Sequence, residues 1–299
     1  MNQQHYDALV IGQGPAGCSA ALYLCRAGLC VAVVGKRDSA LHGAEKIENY
    51  YGLAQPLSGL ALSDIGRGQC RTLGAELLED EVLSLDWLED GHFTAALASG
   101  TVLQAPAALL ATGKAKTAPA IEGLPGLVGK GVSYCAVCDG FLYRGRSVAV
   151  LGGGAYAKHE MEALLPLAGK VTLLTHGAEP EFALPETVTL FREPLLRLQG
   201  EDTLQTAVLS DGSELPLNGL FVAMGSASAG DLAVKLGIRL EKNAIPVNAK
   251  QETALPGLYA AGDCTGSFAQ IAFAVAEGAK AALAMTPYIR KAKHQRQPA

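Results

Sequence analysis

The stretch Gly12-Gln13-Gly14-Pro15-Ala16-Gly17 decides the fold, because it stands between an apolar run and a helix-forming segment. The apolar run, residues 6–11, predicts a buried strand, and the helix is predicted to reach about Arg26. Gly28 ends that helix, and residues 31–34 predict the next parallel strand. Together these segments form a β-α-β unit of the kind that binds nucleotides.

The three glycines of this turn have separate roles. Gly12 permits the tight turn, Gly14 lets a pyrophosphate approach the backbone, and Gly17 lets the helix pack on the strand. Backbone N–H groups and the helix dipole then favour phosphates, so we predict a dinucleotide site. Asp38 is the carboxylate near the end of the second strand, and it either holds a ribose hydroxyl or is an ordinary loop residue.

The same pattern occurs a second time. Residues 147–151 predict a strand, Gly152-Gly153-Gly154 a turn, residues 156–167 a helix and residues 170–174 another strand. The fold class is therefore α/β, with two doubly wound, Rossmann-like nucleotide-binding domains, the second inserted in the first. We expect residues 1–114 and 246–299 to form the first domain and residues 115–245 the inserted one.

The end of the chain is predicted from the same signals. A helix over residues 270–284 closes the first domain, and the basic tail from Arg290 is expected to be frayed and solvated.

Composition excludes several classes of protein. Apolar residues make up 49% of the 299 residues and charged residues 18%, which excludes a disordered chain. The net charge of −5 gives no electrostatic reason to expect a nucleic-acid partner. No apolar run is as long as the about 18 residues that a membrane span needs. The first residues do not show the pattern of a signal peptide. We therefore expect no membrane partner and a cytoplasmic location.

The segment Cys135-Ala136-Val137-Cys138-Asp139-Gly140 carries the chemistry. Two thiols at this spacing can close a small disulfide ring that exchanges two electrons, and Asp139 could move the accompanying proton. The chain has seven cysteines but a single CxxC pair, without the second pair or nearby histidines of a zinc site, so no metal is expected.

With these motifs the chain resembles the low-molecular-weight, flavin-dependent thioredoxin reductase family over nearly its whole length. The dithiol segment is specific to that family, whereas the glycine motifs are shared by many flavoproteins. The motifs that match in order are Gly12-Gln13-Gly14-Pro15-Ala16-Gly17, Glu48-Asn49-Tyr50-Tyr51-Gly52, Ala111-Thr112-Gly113, residues 131–140, Ala260-Ala261-Gly262-Asp263 and Gln270.

The resemblance implies FAD in the first domain, a thioredoxin-like protein disulfide as substrate, and a homodimer. By the same resemblance, Cys138 faces the flavin, Cys135 attacks the substrate disulfide, and Asp139 donates or accepts the proton. Asn49 and Gln270 would lie near the flavin ring, and Asp263 would bond the ribityl-phosphate part. The other implied cofactor-binding residues are Gly12, Gly14, Pro15, Ala16, Gly17, Ala111, Thr112, Gly113 and Gly262.

The second glycine-rich turn departs from the family pattern. NADPH-dependent members carry a His-Arg-Arg cluster after the next strand, whereas no Arg or Lys lies between Lys170 and Arg192 here. Glu179 and Glu181 would repel a 2′-phosphate. Each lost hydrogen bond to a charged group is worth about 1.5–3 kcal/mol, so two of them reduce affinity by about two or more orders of magnitude. NADPH is therefore not expected to be the efficient donor, whereas this argument does not apply to NADH.

Three functions agree with the sequence. The first is a disulfide reductase supplied by ferredoxin or by a second flavin in the vacated site, where Tyr156 would be available for stacking. The second is a dithiol oxidase that acts on a small molecule with oxygen as acceptor. The third is a non-enzymatic flavin redox sensor.

Overall fold

The computed structural model describes residues 3–37, 39–114 and 120–294. The chain divides into two compact units, Met1–Ala115 with Ser228–Ala299, and Lys116–Ala227. Asp38 and the segment just after the predicted boundary at 114 lie outside the described residues.

The second boundary differs from the predicted one, since the chain returns to the first unit at Ser228 and not at 246. Ser228 caps a short helix, and the N–H of Ala229 donates to Oγ1 of Thr112 at 2.8 Å. These contacts tie the segment after Ala227 to the first unit before the predicted position is reached.

The first part of the first unit forms the β-α-β unit and the strands that follow it. Its elements are β1 (Gln3–His5), β2 (Ala8–Ile11), α1 (Pro15–Arg26), β3 (Val31–Val34), α2 (Gly59–Thr72), β4 (Glu76–Leu78), β5 (Val82–Trp87), β6 (Phe93–Leu97), β7 (Val102–Ala105) and β8 (Ala108–Leu110).

The inserted unit repeats the β-α-β arrangement. Its elements are α3 (Leu124–Leu127), β9 (Val132–Ser133), α4 (Ala136–Asp139), β10 (Ser147–Leu151), α5 (Ala155–Leu164), β11 (Lys170–Leu174), β12 (Val188–Phe191), β13 (Leu195–Gln199), β14 (Thr206–Leu209), β15 (Glu214–Pro216) and β16 (Gly219–Val222). The chain then completes the first unit with α6 (Ala229–Lys235), β17 (Leu258–Ala260) and α7 (Ile271–His294).

Each unit is built on a parallel five-stranded sheet. The order is β17-β8-β2-β3-β4 in the first unit and β12-β11-β10-β16-β9 in the inserted one. Strands β2 and β3 are buried at every position, which explains their continuous apolar sequences. A smaller sheet accompanies each, β1-β7-β6-β5 and the antiparallel β13-β14-β15.

Helix α7 is longer than the sequence predicts, and the expectation of a frayed tail from Arg290 is wrong as far as His294. Ile289 is fully buried, Arg290 Nη2 donates to the carbonyl of Ala27 at 3.2 Å, and Lys293 Nζ pairs with Asp7 Oδ1 at 2.6 Å. These contacts continue the helix beyond the predicted end. Within the described part of the chain, no helix combines the length and apolar character needed to cross a bilayer.

Candidate active site

The first glycine-rich turn forms an open cradle at the start of α1. Gly12 has a φ of +122°, and a side chain there would collide with the carbonyl of Ala111. A side chain at Gly17 would collide with the carbonyl of Gly12. Gly14, in contrast, caps α1, and apart from its two chain neighbours no described residue has an atom within 4 Å of the place that its Cβ would take. The free N–H groups of the first turn of α1 therefore border open space that suits a phosphate.

The other predicted cofactor residues gather at the same edge of the sheet. Ala111, Thr112 and Gly113 follow β8, and Gly262 and Asp263 follow β17. Because β2, β8 and β17 are parallel neighbours, their carboxyl ends meet beside Gly12. Pro15 and Ala16 begin α1, and a Cβ on Gly262 would lie 3.1 Å from the Cβ of Ala16.

Asn49 and Gln270, both predicted to lie near a flavin ring, are brought together by the fold. Asn49 Nδ2 donates to Gln270 Oε1 at 3.3 Å, although 221 positions separate them in the chain.

The rim near β17 carries two carboxylates. Burial is the main reason that the pKa of Asp263 is raised above its ordinary value, and the charge of Glu277 adds to this, while Lys114 opposes it. Glu277 Oε2 accepts the N–H of Gly262 at 2.7 Å and the hydroxyl of Thr265 at 3.3 Å. Glu277 is not among the residues predicted for this site, although an acid among the small apolar residues of α7 marks it in the sequence.

Two buried polar side chains near the end of β4 fit a large polar cofactor. Gln13 Nε2 donates to the carbonyl of Leu78 at 2.7 Å, whereas its Oε1 is buried and has no hydrogen-bond partner among the described residues. Arg67 of α2 is buried with Nη2 at 3.9 Å from Glu79 Oε2, and within the same described ranges its Nε has no hydrogen-bond partner either. Together with the open cradle at Gly14, these atoms make the site suitable for FAD.

Cys135 and Cys138 form a disulfide in the inserted unit, with their Cα atoms 5.3 Å apart. The N–H of Cys138 donates to Sγ of Cys135 at 3.1 Å. Cys135 is 3% exposed and Cys138 is half-buried. The sulfur to which the resemblance assigns the attack on substrate is therefore the less accessible one in the oxidised state.

Asp139 is held by Ser133, which is not among the predicted site residues. The hydroxyl of Ser133 donates to Asp139 Oδ2 at 2.6 Å, and Ser133 Oγ accepts the N–H of Cys135 at 3.0 Å. Ser133 ends β9, so a strand fixes the side chain that orients the carboxylate.

The side chain of Tyr156 points toward residues 134–140, which we call the disulfide loop, and not into the second glycine-rich turn. It is 1% exposed, and its hydroxyl donates to the carbonyl of Tyr134 at 3.2 Å. The expectation that Tyr156 is available to stack on a second flavin is therefore wrong, because the first turn of α5 points this side chain into the core.

The second glycine-rich turn is covered by the chain itself. The N–H of Glu181 donates to the carbonyl of Gly153 at 2.8 Å, and Glu181 Oε2 lies 3.4 Å from the place that a Cβ of Gly154 would take. Glu179 pairs with Arg192, the first arginine after β11, at 2.7 Å. A carboxylate therefore lies against the backbone that a dinucleotide pyrophosphate would approach.

The carboxylate of Glu81, between β4 and β5, is buried. Glu81 is 5% exposed and forms an ion pair with Lys36 at 2.5 Å. The basic residue after β3 neutralises this carboxylate, which allows its burial.

Comparison with known proteins shows the family of the chain. Residues 6–278 match the pyridine nucleotide-disulphide oxidoreductase family. The chain is 33% identical over 302 residues to a thioredoxin reductase of Aquifex aeolicus, covering 95% of this chain and 93% of that protein.

Two solved structures are similar over almost the whole chain. The atypical thioredoxin reductase TRi of Desulfovibrio vulgaris Hildenborough has a TM-score of 0.89 and 38% identity, covering 98% of this chain and 99% of that one. A ferredoxin-flavin thioredoxin reductase of Clostridium acetobutylicum has a TM-score of 0.75 and 31% identity, with 97% and 100% covered.

Proposed function

Since this chain belongs to the pyridine nucleotide-disulphide oxidoreductase family as a thioredoxin reductase-like flavoenzyme, we propose that it reduces a thioredoxin-like protein disulfide with electrons from a donor other than NADPH. The observation that carries the proposal is a disulfide with an adjacent, oriented carboxylate in a unit whose own dinucleotide turn is covered by Glu181.

FAD is proposed to lie on the first glycine-rich turn. Gly12, Gly14, Pro15, Ala16 and Gly17 would hold its pyrophosphate. Gly262 and Asp263 would hold its ribityl-phosphate part, with residues 111–113 beside them and Asn49 and Gln270 near the ring. FAD bound there would accept electrons from the donor and, once reduced, would pass two of them to the disulfide.

The thiol chemistry then follows from the residues of the inserted unit. Reduction breaks the Cys135–Cys138 bond and adds two electrons and two protons, one of which Asp139 can deliver. The thiolate of Cys135 attacks the partner disulfide and releases one partner thiolate, which takes up a proton. Cys138 then attacks Sγ of Cys135, releases the second partner thiol, and restores the internal disulfide.

The surface beside the disulfide supports a protein substrate. Val137, Phe141 and Leu142 are 67%, 61% and 55% exposed. Apolar side chains exposed this close to a reactive disulfide favour docking of a protein over access by a small dithiol alone. This argument favours the reductase over the small-molecule oxidase.

A one-electron protein donor of the ferredoxin type is proposed over a second flavin. The similar protein of C. acetobutylicum is a ferredoxin-flavin thioredoxin reductase, which supports a donor of this type for the present chain. A second flavin would need the turn that Glu181 covers and would have no Tyr156 ring to stack on.

Anaerobic stopped-flow mixing tests the proposal. Oxidised enzyme is mixed in turn with NADPH, NADH and reduced ferredoxin, and flavin bleaching is followed, with oxidised thioredoxin-like protein added afterwards. We expect bleaching by ferredoxin at catalytic rates and reoxidation by the protein disulfide. Fast bleaching by micromolar NADPH would contradict the donor assignment. Oxygen consumption with a small dithiol, but no exchange with thioredoxin, would contradict the reductase assignment.

A further inference from the structure

The disulfide loop rests on one face of helix α5. Tyr156, Glu160 and Leu164 follow one another at intervals of four residues, so they lie along one stripe of the helix. All three are almost fully buried. The middle residue of this otherwise packed stripe is a carboxylate.

Each member of the stripe contacts a different part of the loop. Tyr156 bonds the carbonyl of Tyr134 at 3.2 Å, and Glu160 Oε2 accepts the N–H of Ala136 at 2.6 Å. A Cβ on Gly140 would lie 3.1 Å from Leu164, so the loop packs closely on the helix at its far end. The contact of Glu160 is therefore with the residue directly after Cys135.

We propose that Glu160 is a positioning residue that sets the equilibrium between disulfide and dithiol at Cys135–Cys138. Its carboxylate is buried beside the backbone that follows Cys135, where charges are weakly screened, so an ionised carboxylate at this position opposes a thiolate on Cys135. It also occupies the Ala136 N–H, which would otherwise be free to bond that thiolate. Both effects favour the disulfide and make the reduced pair the stronger reductant. The inference rests on the proposed redox role of this pair.

The couple involves one bond and two electrons. The S–S bond breaks, each sulfur gains one electron, and the sulfurs take up two protons, or one where Cys135 remains a thiolate. In the test the reductant is dithiothreitol, and one dithiothreitol molecule becomes its cyclic disulfide for each Cys135–Cys138 bond that is reduced.

The experiment measures this equilibrium on the full FAD-loaded protein. Enzyme is equilibrated anaerobically at pH 7 in buffers that contain reduced and oxidised dithiothreitol at varied ratio, and it is then quenched, alkylated and digested with trypsin. Lys130 and Arg144 flank the pair, so the peptide of residues 131–144 contains both of these cysteines and no other. Its reduced fraction is read by mass spectrometry, and the thermal unfolding midpoint of each variant is measured alongside.

Glu160→Gln keeps an acceptor for Ala136 but removes the charge. We expect its equilibrium to shift toward the dithiol by about tenfold, which is about 30 mV for this two-electron couple. The matched control is Glu162→Gln, which removes an exposed carboxylate from the same helix and should leave the equilibrium unchanged. Glu160→Asp withdraws the charge by one methylene and should shift the equilibrium in the same direction by less, and it carries the test if the glutamine variant does not fold.

The outcomes separate this inference from the proposed function. A wild-type peptide that stays oxidised in every buffer, even with the strongest reducing ratios, contradicts the redox role of the pair itself. The other outcome is that the wild-type pair is reduced within the range of the buffers. If the folded Glu160 variants then have the same disulfide–dithiol equilibrium as wild type, or one shifted toward the disulfide, the role of Glu160 alone is overturned.

Discussion

The hydroxyl of Ser133 donates a hydrogen bond of 2.6 Å to Oδ2 of Asp139, while the same oxygen accepts the N–H of Cys135 at 3.0 Å. One side chain therefore links the proposed proton carrier to the backbone of the disulfide. This geometry holds Asp139 in one orientation, which proton transfer to a leaving thiolate requires.

Asp139→Asn should slow electron transfer from flavin to a protein disulfide by about 10²-fold or more, because it removes general acid–base catalysis. Ser133→Ala should slow it less, since the carboxyl group remains and only its orientation is lost. The flavin is reduced by light, so no physiological donor is needed, and its reoxidation by a thioredoxin-like protein is followed by stopped flow. Asp211→Asn, in an exposed turn of the same unit, is the control. Equal rates for the Asp139 and Asp211 variants would remove Asp139 from the mechanism.

Replacing Cys138 by serine should trap a mixed disulfide with the substrate protein, whereas replacing Cys135 should not. Cys138→Ser leaves Cys135 able to attack but leaves no thiol to resolve the adduct, so a mixed disulfide with the substrate protein should accumulate. Cys135→Ser should trap little. Non-reducing electrophoresis detects the adduct, and mass spectrometry of residues 131–144 identifies the sulfur. The reverse pattern would assign the attack to Cys138, the more exposed sulfur in the oxidised structure.

Gly12 and Gly14 should respond differently to alanine. Gly12→Ala puts a side chain at a φ of +122° against the Ala111 carbonyl, so the protein should lose stability by more than the about 1–2 kcal/mol of the backbone term alone. The Cβ added by Gly14→Ala would point into open space, and the φ of this residue is one that alanine adopts readily, so the stability of the apo-protein should be retained. Because this Cβ would occupy space proposed for the pyrophosphate, FAD should bind about tenfold more weakly, or by about 1.4 kcal/mol. Unfolding by urea and fluorescence titration of apo-protein with FAD measure the two effects. Gly68→Ala, in α2, should leave FAD affinity unchanged; a normal affinity in Gly14→Ala would place the cofactor elsewhere.

Asp263 and Asp211 should give opposite dependences of stability on pH. The pKa of Asp263 is raised by burial and then by Glu277, so the folded apo-protein is destabilised once pH rises above the carboxyl's unfolded value of about 3.9. Asp263→Asn should therefore stabilise the apo-protein at pH 7, and this gain in stability should disappear when the pH falls below the unfolded pKa of about 3.9. Hydrogen bonds from Ser213 lower the pKa of Asp211, so Asp211→Asn should destabilise at pH 7, with the loss disappearing as pH falls through the lowered folded value. Urea unfolding from pH 3 to 7 checks both signs, and a stabilising effect that persists in acid would show that charge is not its cause.

The fold class and the family resemblance inferred from the sequence are confirmed by the comparisons. The sequence places β2, the turn at Gly12–Gly17 and α1 correctly because their signals are local. Apolar runs mark buried parallel strands, and the glycine spacing matches one turn geometry. The predictions are wrong where contacts between residues far apart in the sequence set a boundary. At Ser228 a helix cap and a hydrogen bond to Thr112 set the end of the inserted unit. In α7 the contacts of the helix with Asp7 and Ala27 extend it beyond its predicted end.

By itself the sequence determined the two β-α-β units, the disulfide-forming cysteines and the missing arginines after β11, because each is written in neighbouring residues. Only the tertiary structure decided that Glu160 bonds Ala136 across 24 positions, that Asn49 meets Gln270 across 221, and that Glu181 covers the second turn. The physical reason is that a buried polar group is tolerated only where the fold supplies a partner. The partner of each buried polar group depends on how helices and strands pack, and no local sequence pattern predicts that packing.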